Sequence, residues 1–374
     1  MFDKIIFMFT DEFFALLIFS LWNKETDIVI SEKNMATIMQ LAKCQSVIGL
    51  IADAIISNDI PIGRDNVMTL LSYLNAVKRN NRNVDEGLTE LCSLLKNNSI
   101  GYFVFKGQTM AHLYGKQNIR CAGDVDFYCA EKDRGRLLEL LKNDVSFNDE
   151  VSFKHLSYKK DAVDFELHFK LANFSVKRHQ EFWDSLIEAE IQNKKCGNIS
   201  INDVDVSTLS PTTNAVYLFI HIYHHFMKEG IGLRQLCDWA VFLNHYRNEI
   251  NRNEVEKMLN KLGYMKAYCA FGSILLDKLG LEKESFPFSV NENDRRWGKK
   301  VLKVIYHGGN FGWNNRKINK IGLLHSIETG FMAISHTIRF MSLSPLENLM
   351  YIPNEMYRSM YKYIGIGRAP TNIL

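Results

Sequence analysis

Across 374 residues the chain has no C-x-x-C pair, only 6 prolines, a formal charge of just +3 and no internal repeat. Each shortage removes a class of protein. The seven cysteines (Cys44, Cys92, Cys121, Cys129, Cys196, Cys237, Cys269) are odd in number and scattered, which argues against a disulfide framework or a structural zinc site and fits reduced thiols in a cytoplasmic protein. The near-neutral charge gives no electrostatic footprint of a dedicated nucleic-acid binder, so an RNA-modifying role is unattractive. The most apolar stretch, MFDKIIFMFTDEFFALLIFSLW, is broken by Asp11 and Glu12 and falls short of the roughly 20 apolar residues a membrane span requires. It reads as a buried helix with Thr10 as its cap.

What is present is an ordered, core-forming composition, 47% hydrophobic and 23% charged, in a chain long enough for two or three packed modules. Residues 1–98 read as a helical module. Ser31, Asp65 and Asp85 each precede an apolar stripe at three and four spacing, as capping residues do. Near Asn98 the period changes, and strand-like runs at 100–105, 123–129, 155–159 and 163–170 alternate with helical patterns at 107–114 and 132–142. A further alternating run at 199–206 reads as an edge strand. This makes 99–206 a small mixed α/β core. Helices return over 207–374, opening on Ser210-Pro211, a cap followed by proline at the first helical position. A glycine-rich interruption stands at 307–312. The fold class expected is therefore α+β, a small mixed sheet flanked by helical modules.

The chemistry concentrates in FVFKGQTMAHLYGKQNIRCAGDVDF, residues 103–127. Asp124 and Asp126 fall two apart on a strand, so they share a face at about 6.5 to 7 Å between Cα atoms, and could hold divalent cations about 3.5 to 4 Å apart. Glu166, in Val163-Asp-Phe-Glu-Leu-His168, is a third acid on the polar face of another strand, and a neighbouring strand placement would bring it to the same volume. Three crowded carboxylates repel unless cations neutralise them, and oxygen donors favour Mg²⁺ or Mn²⁺ over zinc. Lys106-Gly107, at a strand end and a helix start, suits an anion such as a phosphate. Arg120 would hold a phosphate oxygen or brace the loop. Asp203-Val-Asp205 repeats the acidic spacing without a preceding strand-glycine-helix element and reads as loop or edge strand. His221, His224 and His225 with Tyr217 have metal-ligand spacing but lack a fourth ligand, so a polar helix face lining a cleft is favoured over a zinc site, and Arg234 and Asp238, four apart, read as an ion pair.

Lys106-Gly107 with Leu113-Tyr114, Arg120, Gly123-Asp124-Val125-Asp126 and Phe165-Glu166-Leu167-His168 resemble the family usually called uncharacterised nucleotidyltransferases, within the DNA polymerase β-like nucleotidyltransferase superfamily. The likeness extends over the helical lead-in and over Leu209-Ser210-Pro211, His221, His225, Leu233-Arg234 and Asp238. It implies a Mg²⁺-dependent transfer of a nucleoside monophosphate from an NTP to an acceptor hydroxyl, on a sugar, another small molecule or a protein. Asp124, Asp126 and Glu166 would be the catalytic metal ligands, and Lys106, Gly107, Gln108, Arg120 and Gly123 the nucleotide grip. The superfamily usually places a serine after the phosphate-loop glycine, where this chain has Gln108. The competing expectation is a non-catalytic module that keeps the fold and holds a nucleotide or a partner.

Overall fold

The structure is a computed structural model that describes residues 2–24, 30, 32–116, 118–142, 146–151, 155–193, 196–309 and 333–364. It is an α+β fold in which a five-stranded mixed sheet is flanked by helices from both ends of the chain. The helical residues before the sheet are α1 (Phe2–Trp22), α2 (Glu32–Cys44), α3 (Ile48–Ser57) and α4 (Arg64–Asn97). The first of these begins upstream of the expected cap, so Thr10 lies inside it: nothing in Phe2–Phe9 is a glycine or proline that would stop the helix there. Ser31 lies outside the described residues. No helix among the described residues is long and apolar enough to cross a membrane.

Asp85 is likewise not a cap. The apolar positions Leu70, Leu74, Val77, Val84, Leu88, Leu91 and Leu95 keep a three-and-four spacing through it, so a single 34-residue helix runs where two were expected. Asp85 is buried midway along α4 and serves a tertiary partner instead.

The sheet contains β1 (Tyr102–Val104), β2 (Val125–Cys129), β3 (Ser146–Val151), β4 (His155–Lys160) and β5 (Val163–His168), in the order β1-β2-β5-β4-β3. Among the described residues only β2 and β5 are parallel. Between strands lie α5 (Gln108–Ala111) and α6 (Glu131–Lys142). Strand alternation sorts the two faces. Val104, Val125, Phe127, Phe165 and Leu167 pack with Leu88, Leu91, Leu95 and Leu137 of α4 and α6 in one apolar cluster. The opposite face carries Phe103, Phe105, Asp126, Glu166 and His168.

The alternating run at 199–206 is not one strand but a hairpin of β6 (Gly197–Ile201) and β7 (Val204–Thr208). Asn202 and Asp203 both take positive φ at its turn, 47° and 61°, the geometry a tight two-residue hairpin requires. This places Asp203 in a turn and Asp205 on β7, outside the acidic cluster.

After α7 (Lys177–Gln192) and the hairpin come α8 (Pro211–Lys228), α9 (Leu233–His245), α10 (Arg252–Leu262), α11 (Met265–Lys278), α12 (Glu292–Gly308) and a helix over Pro345–Ile364. The expected start of α8 holds: the Ser210 side chain accepts from the Thr213 amide and Pro211 opens the helix. Of the glycine-rich interruption expected at 307–312, His307 and Gly308 end α12 and Gly309 follows with φ 63°, while 310–312 lie outside the described residues. All seven cysteines are free.

Two contacts aim the segment 118–124 at the sheet. Asn81 of α4 donates to the Arg120 carbonyl at 2.8 Å. At Gly49 of α3 the backbone approaches so closely that an added Cβ would lie 2.1 Å from the Ile119 carbonyl oxygen. Gly49→Ala should therefore displace this segment and lower unfolding free energy by about 1–3 kcal/mol. Gly135→Ala, on an exposed position of α6 with nothing within 4 Å, should be neutral or stabilising by up to about 1 kcal/mol. Urea denaturation of both variants checks the contrast.

Candidate active site

After β1 the backbone makes a strained reversal. Lys106 has φ 56°, and Gly107 has φ 57° with ψ −123°, a combination open to glycine almost alone. A Cβ at Gly107 would also sit 3.2 Å from the Asp124 carbonyl oxygen, so the turn rests directly on the loop that carries the first acid. The reversal brings Lys106 Nζ to 2.8 Å from Asp126 Oδ1.

Asp126 stands opposite Glu166 in the parallel register of β2 and β5. Two residues beyond Glu166 and on the same face, His168 reaches both acids, its Nε2 2.6 Å from Asp126 Oδ1 and 3.3 Å from Glu166 Oε2. Donor atoms of Asp126, Glu166 and His168 all lie within 4.8 Å of one another. Asp124 immediately precedes β2, is half-buried, and lines the same cavity of about 650 Å³. Thus the structure brings Asp124, Asp126 and Glu166 to one cavity.

The electrostatics show how tightly the three acids are coupled. The neighbouring Asp126 charge, then burial, push the Asp124 carboxyl above its usual range, with Glu166 adding to the push. Burial opposes ionisation of Asp126, yet the Lys106 ammonium and the hydrogen bond to His168 overcome it and hold the carboxyl at about 2. Burial opposes ionisation of Glu166 too, yet the His168 hydrogen bond together with the charges of Lys106 and His168 lowers its carboxyl. On the basic side, burial works against charge on Lys106 and His168, but the acids raise both. Three carboxylates face two basic side chains, so the cluster remains short of positive charge.

The remaining expected residues divide. Lys106, Gly107, Arg120 and Gly123 line the cavity. Gln108 does not: its Nε2 donates to Asp85 Oδ1 at 2.6 Å, and the side chain is buried against α4, where His112 Nε2 also lies 3.1 Å from Asp85. Arg120 is committed to bracing, its Nε and Nη2 forming a fork with Asp238 at 2.7 and 2.8 Å while Tyr114 donates to the same carboxylate at 2.8 Å.

That fork corrects the expected Arg234–Asp238 ion pair. A carboxylate bound bidentately by the planar Arg120 guanidinium has little left to offer the neighbour four residues back on its own helix. Arg234 instead turns toward the loop before β2, donating from Nη1 to the Cys121 carbonyl at 2.9 Å.

The helical wall of the cavity is α8, which contributes Tyr217, His221, His224 and His225, the polar face expected of it. His224 meets the Tyr264 hydroxyl at 2.8 Å, and the rings of His221 and His225 are 4.3 Å apart. Burial, then the positive charge of Lys106, His225 and His168, hold the His221 imidazole well below its usual range and therefore neutral. His168 is the functional side chain whose role was legible but unread: the strand period that exposes Glu166 exposes His168 as well. Arg234 was hidden by the pairing that helical spacing suggested.

Asp238→Ala should strand the buried Arg120 charge and cost about 3–5 kcal/mol of stability, whereas replacing Arg120 and Asp238 together by leucine should recover most of the loss. Guanidinium unfolding of the single and double variants measures both.

Residues 31–275 match the family described as "Uncharacterised nucleotidyltransferase", and the chain belongs to it. No curated protein matches the chain. Among solved structures, a crystal structure of an antigenic nucleotidyltransferase-like protein from Paracoccidioides brasiliensis is similar at 15% identity and a TM-score of 0.32, covering 53% of this chain and 93% of that one.

Proposed function

We propose that this member of the uncharacterised nucleotidyltransferase family transfers a nucleoside monophosphate from an NTP to an acceptor hydroxyl, on a sugar, another small molecule or a protein, using Mg²⁺ or Mn²⁺. The observation that carries the reading is the register pairing of Asp126 with Glu166, with Asp124 electrostatically coupled to both across one cavity. The donors at ligand distance from one another are Asp126, Glu166 and His168, with Asp124 lining the same cavity, and the carboxylates are the hard oxygen ligands that Mg²⁺ or Mn²⁺ prefers. Asp124, Asp126 and Glu166 would hold it, and when bound it would stabilise charge on the attacking and leaving oxygens of an in-line displacement.

The chain's own residues supply the remaining roles. The Gly107 turn keeps the loop of Asp124 against the strand end, so the acids are oriented before a substrate arrives. Glu166 opens toward the cavity, its side chain 28% exposed, so its carboxylate can hold the cation and accept a hydrogen bond from an acceptor hydroxyl. Lys106 is paired with Asp126 and keeps that carboxylate ionised and in place beside Glu166.

A second reading, a binding module without catalysis, draws on one observation. Asp126 Oδ1 is already met by Lys106 Nζ and His168 Nε2, so the side chains neutralise part of the site themselves. Calorimetry with NTP and Mg²⁺ followed by product analysis separates the two, since a binder gives heat without pyrophosphate.

Asp124→Asn combined with Asp126→Asn should abolish transfer of label from α-³²P-NTP to acceptors in a cell extract and leave the thermal melt within a few degrees of wild type. EDTA should give the same loss. Undiminished transfer in the double variant would refute the assignment.

A further inference from the structure

We infer that Arg234, at the start of α9, is the cavity's polyphosphate-binding cation, a role that the expected phosphate residues cannot fill because their side chains are engaged elsewhere. The inference rests on the nucleotidyltransferase reading and names the residue that grips the transferred nucleotide's phosphates. Gln108 is bonded to Asp85, Arg120 is locked in its fork with Asp238, and Lys106 is paired with Asp126. Arg234 differs from all three. Among the described residues it has no carboxylate within ion-pair distance, its Nη1 meets only the Cys121 carbonyl, and its buried Nε has no hydrogen-bond partner.

Its position suits an anion. The guanidinium lines the cavity beside Gly123, where an added Cβ would lie 3.7 and 3.9 Å from Nη1 and Nη2. The glycine therefore leaves the guanidinium face uncovered next to the loop carrying Asp124. Asp124 is among the charges that Arg234 feels, so the cation stands near one end of the acidic cluster. The neighbouring Arg120 charge repels it, and Asp238 is already consumed. Asp238 and Asp124 attract this half-buried guanidinium only from beyond ion-pair distance, so no carboxylate contact compensates it, and its planar donors match phosphate oxygens. Arg134 also lines the cavity and its buried Nε likewise has no hydrogen-bond partner, but its guanidinium is stacked at 4.3 Å on Phe169.

Inorganic tripolyphosphate, which needs no base preference, is the probe. Full-length wild type, Arg234→Gln and Arg234→Lys are titrated with it calorimetrically with and without Mg²⁺, and each is melted and assayed for label transfer from α-³²P-NTP. The expected result is a 10- to 100-fold loss of tripolyphosphate affinity in Arg234→Gln, partial recovery in Arg234→Lys, and a raised KM for NTP. The melting temperature should not fall, because an uncompensated charge has been removed. Equal tripolyphosphate affinity in wild type and Arg234→Gln overturns the inference, as does a lowered melting temperature with affinity unchanged. If transfer persists in that case, the enzymatic reading survives without it. If affinity falls in Arg234→Gln but wild type transfers no label, Arg234 stands as the anion site and the catalytic reading fails.

Discussion

The parallel pairing of β2 with β5 is the constraint on which the rest of the site depends. It is the one parallel contact in the sheet among the described residues, and it seats Asp126 directly beside Glu166. A slip of one residue in either strand would send one of these acids into the apolar cluster on the other face. Phe127, Phe165 and Leu167, all at 2% exposure or less, oppose such a slip because the same movement would drive them out of the core. The hydrophobic face thus sets the register, and the register sets the chemistry.

Crowding acids at a sheet surface is unfavourable, and the surrounding architecture answers it with cations delivered from different directions. Lys106 arrives from a backbone reversal that glycine makes accessible, and His168 arrives from the same strand as Glu166. Farther along the cavity, Arg120 and Asp238 neutralise each other and fasten the loop before β2 to α9. Polar groups one turn apart on α4, Asn81 and Asp85, hold the same region from behind: one takes the Arg120 carbonyl, the other the Gln108 and His112 side chains. The glycine turn and the acidic loop are therefore tied to a common rod, which fixes their relative position.

Much of this was legible in the sequence. The strand period picked out Asp126 and Glu166, while Asp124, expected on the same strand, stands just before it, and the resemblance those residues carry is borne out by the family match and by the mixed sheet between helices. What was hidden has tertiary causes. Asp85 looks like a helix cap because aspartates often are; only the packed structure shows that it is a buried acceptor for α5. Val176 provides no side-chain cap for α7, and the missing signal is supplied across the fold by Glu347, which accepts from the Ser175 and Val176 amides and meets His179 Nδ1 at 2.7 Å. β3, SFNDEV, has little strand composition, and its conformation comes from pairing with β4. Arg234 and Asp238 were misread because spacing on a helix says nothing of a stronger partner 118 residues away.

The apolar cluster that joins the helices has a further consequence. Phe13, Ile51 and Leu70 from the beginning of the chain and Phe219, Trp239 and Phe271 from its second half belong to the same buried body. The sheet segment is therefore an insertion into a continuous helical interior. A fragment cut out at its borders would keep every acidic ligand and still lose the wall that shelters them. Its torn greasy surfaces would favour clumping over catalysis.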